Sequence, residues 1–354
     1  MKSSKKGKNM QAEFERSLFE NLEVEERMHP EMDAQDVIKF LFQGLLGPGH
    51  LLSDRERVLG HLKTEMISGE KEKGPAMTSV SPMWSRLHLA SAQEMGLTPE
   101  TIYGMMVTDA STETWTRDDV IELARALPGD LKRGNMDPLF EKIRAGWIPS
   151  HSARYHECYH PSYRIVPAHW EKELEALSRI CLLGEGQKLV TMDGPCASGK
   201  TTIARHLSEA LGIPIIHTDD FVIPHKDKTP ERLAIPGGNC DATRLLDEVI
   251  RPFMDGKGFW VRKYDWTERE YKEGIWQESC PLMLLEGTYC NLPILREHAA
   301  LRFYVNTSWE VRLERLKKRE SPESLEQFKA LWIPLENAYY EAYGIPDSDM
   351  VLIN

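Results

Sequence analysis

Apolar positions change their rhythm once along this chain, near residue 185. Before that point they recur at helical spacing between polar turns. Trp170, Leu174, Leu177 and Cys181 fall at i, i+4, i+7 and i+11, one stripe down a single helix. Helix boundary signals accompany the spacing. Asp33 can cap a helix that reaches Leu46, where Gly47-Pro48-Gly49 ends it. Thr98-Pro99-Glu100 supplies a capping hydroxyl, a proline at the first helical position and a carboxylate at the positive end. Thr116 with Asp118 and Asp119 opens another helix, which Pro128-Gly129 stops; Asp137-Pro138 opens a further one, ended by Gly146. No strand run and no internal repeat stands out, so residues 1–183 read as an all-α domain.

Past Gln187, short apolar runs alternate with helical segments. Strands are predicted at 188–193, 213–218, 282–286, 301–306 and 349–353. Their spacing demands crossover connections, hence an α/β domain over 187–354 with a mostly parallel sheet and helices on both faces. Leu183-Gly184-Glu185-Gly186-Gln187 is the expected linker.

Composition narrows the function classes. At 354 residues the chain has room for two domains of ordinary size. A net charge of −11, spread over both halves, argues against a nucleic-acid-binding surface. No run approaches the roughly 18 apolar residues of a membrane span. Lys2 to Lys8 is short, basic and polar, unlike a secretion signal, and reads as a disordered tail. The six cysteines are scattered without a CxxC pair, which suits free thiols and a cytoplasmic location. Homo-oligomerisation is left open.

Chemistry concentrates where the rhythm changes. Gly194-Pro195-Cys196-Ala197-Ser198-Gly199-Lys200-Thr201 fits the phosphate-binding pattern G-x-x-x-x-G-K-[ST]. It lies between a predicted strand and a helix opened by Thr202. A helix start offers unpaired N–H groups to a phosphate, and the glycines let the backbone approach its oxygens. Lys200 would reach the β- and γ-phosphates, and the Thr201 hydroxyl would help hold Mg²⁺. A nucleoside triphosphate is thus the expected ligand, with Mg²⁺. Cys196, near a helix start, is a candidate for a lowered thiol pKa, although a small filler side chain is the preferred reading.

Two apolar runs end in acids. His217-Thr218-Asp219-Asp220 could supply a base or a metal ligand, with Asp219 favoured, and Leu284-Leu285-Glu286-Gly287 has the layout of a metal-side acid beside the loop. Arg312, Arg315 and Arg319 lie beside an apolar stripe on the helix after 301–306. Such a run is either a solvated face or a lid over phosphates, with Arg315 and Arg319 the preferred lid residues.

Taken in order, these stretches resemble the uridine kinase-like branch of the P-loop kinases, close to phosphoribulokinases. The likeness spans about 187–354. It also takes in Pro236-Gly237-Gly238-Asn239, Tyr264-Asp265, and Trp332-Ile333-Pro334-Leu335-Glu336. It implies an ATP-dependent phosphotransferase with a small-molecule hydroxyl acceptor. The family's loop lysine then falls on Lys200, its metal-binding hydroxyl on Thr201, its catalytic aspartate on Asp219 and its magnesium-side glutamate on Glu286. The nucleoside pocket departs from the pattern. Arg244 stands where uridine-cytidine kinases place a ribose-gripping His-Pro-Asp, and Arg269 stands in place of a base-binding histidine. With Asp220 and Tyr264 these are the expected acceptor contacts, and the two cations point to an acidic acceptor.

Two further readings remain. A nucleotide-driven switch, with the helical domain binding a partner, is the alternative to transfer. His151, His156, Cys158 and His160 are zinc-ligand types, but four donors on one short loop rarely complete a tetrahedron.

Overall fold

The computed structural model describes residues 2–68, 75–109, 115–265 and 267–353; Trp266, beside Tyr264 and Asp265, lies outside them. The chain divides into two compact units, Met1–Glu171 and Lys172–Asn354. The division falls inside the helix Trp170–Cys181, upstream of the glycine-containing segment 183–187.

In the N-terminal unit the helix signals act where they stand. Asp33 caps Ala34–Leu46 in a capping box with Asp36. Thr98 caps Pro99–Val107, and Thr116 caps Arg117–Ala126 with Asp119 returning the bond. Gly47 adopts φ +56°, and a Cβ there would collide with the Trp84 ring. The first helix, Lys2–Met28, takes in the basic segment expected as a tail. Phe14, Leu18 and Leu22, four residues apart, bury one face of that helix against Ile38, Leu41, Val120 and Phe140.

The unit is helical for most of its length but also holds a small antiparallel sheet, in the order Met77–Ser79, Trp84–His88, Tyr163–Pro167. These strands gave no alternation signal for a physical reason. Residues 84–87 are buried whichever way they point, and an arginine and a serine sit among them.

The C-terminal unit is built on five parallel strands. Their order is Val351–Ile353, Ala299–Val305, Lys188–Asp193, Leu282–Glu286, Ile215–His217. All five coincide with predicted strands to within two residues. The helix Lys200–Leu211 packs on the strands Lys188–Asp193, Leu282–Glu286 and Ile215–His217, and Pro293–Arg296 packs on Ala299–Val305. This is the α/β P-loop architecture expected from the sequence. Two short hairpins were not anticipated: Phe259–Val261 with Ile275–Gln277, and Tyr264–Asp265 with Glu270–Tyr271. The register Glu286↔Met192 and Glu286↔His217 brings three strand ends to one edge, directly below the glycine loop.

Candidate active site

Residues 194–199 turn the chain from Lys188–Asp193 into the helix Lys200–Leu211. The turn needs left-handed backbone at Gly194 (φ +153°), Ala197 (φ +59°) and Gly199 (φ +103°). A Cβ on Gly194 would stand 2.8 Å from the Val305 carbonyl oxygen, so glycine is required there for space as well. Within the loop, Ser198 N–H bonds the Pro195 carbonyl, and Thr202 and Ile203 both bond that of Gly199. The N–H groups of Ala197, Gly199, Lys200 and Thr201 take part in no backbone bond. The buried Ser198 hydroxyl is also unpartnered. These donors crowd one helix start, an arrangement that attracts anionic oxygen.

Lys200 is 9% exposed and, among the described residues, pairs with no carboxylate. Its charge acts on Asp219, Glu286, Asp193 and Glu336 from a distance. The Thr201 hydroxyl donates to Glu286 Oε1 at 2.8 Å, and His217 Nδ1 lies 2.7 Å from Glu286 Oε2. Burial pushes the Glu286 carboxyl up, but the His217 bond, the Lys200 charge and the Thr201 hydroxyl together hold it below the ordinary value. His217 is raised in return, first by its bond to Glu286. Asp219 is open to solvent yet densely surrounded by protein. That desolvation is the largest influence on its carboxyl and raises it, with Lys200 opposing. Gly287 (φ +134°) lets the chain pass Thr218, whose Oγ1 a Cβ would strike.

The basic helix Trp309–Arg319 engages the loop through two arginines. Arg315 donates to the carbonyls of Ala197 at 3.0 Å and Ser198 at 2.6 Å. Arg312 is buried, donates to the Cys196 carbonyl at 2.8 Å and lies 3.8 Å from Glu336. Arg319 instead pairs with Glu320 and stacks near Phe328. Of the residues expected to contact an acceptor, Arg244 is held between the Phe221 and Tyr271 rings, 4.3 and 4.0 Å from their centres. It also donates to the Asp220 and Arg262 carbonyls. Asp220 pairs with Lys263 at 3.2 Å. Tyr264 is buried against Tyr271, while Arg269 is exposed at a hairpin turn with φ +60°.

Sequence reasoning gave no role to the groups that brace the loop from beneath, although Glu336 lies in a stretch that carried the resemblance. Buried Asp193 accepts from Tyr339 at 2.8 Å, Gly194 N–H at 2.8 Å and Asn291 at 3.3 Å. Glu336 accepts from the Cys196 N–H at 2.9 Å. Cys196 itself is buried, and its thiol is pushed up to about 11, first by burial and then by the Glu336 charge. The lowered pKa allowed for at a helix start does not arise, because that charge and the burial outweigh the dipole. The four candidate zinc ligands of the N-terminal unit do not converge. His151 is buried between Asp36 (3.0 Å) and Tyr163 (2.7 Å), Cys158 is exposed, and none joins a group of three or more close metal-ligand atoms among the described residues.

No family model matches the chain. It is 24% identical over 177 residues to a cytidylate kinase from Deinococcus deserti, a stretch covering 41% of this chain and 80% of that relative. Among solved structures it is similar to one described as a possible uridine kinase from Bacillus stearothermophilus. The identity is 16% and the TM-score 0.42, over 52% of this chain and 98% of that one. It is also similar to D-glycerate 3-kinase from Cryptococcus neoformans, with 16% identity and a TM-score of 0.36, over 52% of this chain and 94% of that one.

Proposed function

We propose that residues 172–354 are an ATP-dependent kinase that moves the γ-phosphoryl of ATP to a hydroxyl of a small metabolite. One observation carries this reading. Four uncommitted N–H groups, the Ser198 hydroxyl and the Lys200 ammonium converge at one helix start, beside the Glu286 carboxylate. That donor set fits a polyphosphate, and the oxygens of Thr201 and Glu286 would hold Mg²⁺. The metal ion, when bound, supplies positive charge against the transferring phosphoryl group.

The chain's own residues divide the remaining work. Lys200 neutralises charge that builds on the phosphates during transfer. Asp219, accessible and with a raised carboxyl, would orient the acceptor hydroxyl and take its proton. Arg315, held at the loop rim by two carbonyls, would turn from them to cover the phosphates. Arg319 has no contact with the loop and would need the basic helix to move before joining it. His217 keeps Glu286 ionised.

On the acceptor side, Arg244 is committed to Phe221, Tyr271 and two carbonyls and Asp220 to Lys263, which leaves exposed Arg269 for an incoming ligand. The relative named as a cytidylate kinase adds nucleoside monophosphates to hydroxy acids, sugars and nucleosides as acceptors worth testing. The test is ADP formation by the purified chain across those classes. A compound that stimulates turnover in the native protein and not in Asp219→Asn supports the proposal. Acceptor-independent hydrolysis throughout favours the switch reading instead.

A further inference from the structure

A cavity of about 430 Å³ opens in the N-terminal unit between the helix Lys2–Met28 and the small sheet. Small-molecule sites commonly fall within about 300–1,000 Å³. Nothing in the P-loop chemistry uses it.

Arg86 lines this cavity from the middle strand and is only 4% exposed. Its Nη1 donates to Glu25 Oε1 at 2.7 Å. The same oxygen also accepts from Tyr155 Oη at 2.8 Å and has His29 Nδ1 at 3.2 Å, so three groups share Glu25 Oε1. The guanidinium faces are taken by rings, with Tyr163 at 4.5 Å and Phe40 at 5.4 Å from its carbon. What remains is its other edge. Nε and Nη2 are buried and have no partner. Leaving a buried donor unpaired is costly, and more so on a charged group. Their N–H bonds run side by side, the fork that meets two oxygens of one carboxylate or phosphate.

Val24, Met28, Tyr159 and Pro161 give the lining an apolar and aromatic side, alongside polar residues such as Asn21 and Ser91. We propose that the N-terminal unit binds a small organic anion, a carboxylate or phosphate monoester on a flat apolar body, with its two oxygens on the Nε/Nη2 edge of Arg86. This site is independent of the kinase reading.

The test uses the full ¹⁵N-labelled chain without ATP, titrated separately with benzoate, phenyl phosphate and neutral benzamide. The Arg86 side-chain Nε–H resonance reports the contact. The expected result is a saturable shift with one or both anions, and the stronger of the two names the head group. Arg86→Lys keeps a cation for Glu25 but removes the fork, and Ser91→Leu fills the cavity; each should weaken binding at least tenfold. If Arg86→Lys does not fold, Ser91→Leu and the resonance decide. The proposal is overturned if neither anion shifts that resonance, if benzamide binds as tightly, or if Ser91→Leu binds like the native chain.

Discussion

The Thr201 hydroxyl donates to Glu286 Oε1 across 2.8 Å, joining the end of the glycine loop to a strand end 85 residues away. His217 occupies the other Glu286 oxygen at 2.7 Å. The carboxylate is therefore held in one orientation by partners on either side, and its charge faces the loop.

Glu286→Gln removes the charge while keeping the shape and one acceptor oxygen. Turnover should fall by about 10²–10³-fold, the scale of losing one electrostatic group from a preorganised site. Thermal stability should change little by comparison. Steady-state kinetics over a Mg²⁺ series checks this, with a higher Mg²⁺ requirement expected in the variant. An unchanged rate and unchanged Mg²⁺ dependence would remove Glu286 from the site.

Asp219 must be deprotonated to accept a proton, and its folded carboxyl lies above the ordinary value of 3.8. Activity should be full above that raised value and fall as pH drops through it. The acid limb of kcat/KM against pH should lie above the position expected of a free aspartate. A limb at or below it would contradict the assignment of Asp219 as base.

In the N-terminal unit, His151 and His50 are each held down to about 4, first by burial and then, for His50, by Lys39 and Arg117. The His151 bond to Asp36 opposes its burial without overcoming it. Unfolded, both return to about 6.5, so the unfolded chain binds more protons between those values. Their contribution is fully present above about pH 6.5 and is lost progressively toward pH 4. Between pH 7 and 5 the unit should lose about 2 kcal/mol per histidine. Urea midpoints at the two pH values measure this, and His151→Gln should flatten the dependence.

Cys196 is buried with its thiol at about 11, whereas Cys158 is exposed. Iodoacetamide at pH 7.5 should label Cys158 well before Cys196, as read by peptide mass spectrometry. Early labelling of Cys196 would mean that the loop opens readily.

The loop was legible because its requirements are local: glycines for left-handed backbone, then Lys200 and Thr201 at a helix start. Asp219 and Glu286 could be singled out as candidates because each carboxylate ends an apolar strand beside the loop, where a parallel sheet places its ligand crevice. Tertiary partners were not. Glu336 reaches the Cys196 N–H across 140 residues and Tyr339 reaches Asp193 across 146, and no spacing rule connects them. Helical periodicity put Arg312, Arg315 and Arg319 on one side of a helix but could not say which turn meets the loop. Arg312 and Arg315 do so. Arg244 read as a free cation because the two rings that enclose it, Phe221 and Tyr271, come from separate elements. The strand Trp84–His88 escaped notice for the same reason that Arg86 is interesting: a buried arginine breaks the pattern of a strand.

The most direct test of the central claim follows the γ-phosphoryl group itself. The full chain is incubated with γ-labelled ATP, Mg²⁺ and pooled hydroxylated metabolites, and the products are separated by mass. The kinase account predicts label in an organic phosphate ester, lost in Asp219→Asn. Label found only in inorganic phosphate, at a rate indifferent to the pool, would contradict it.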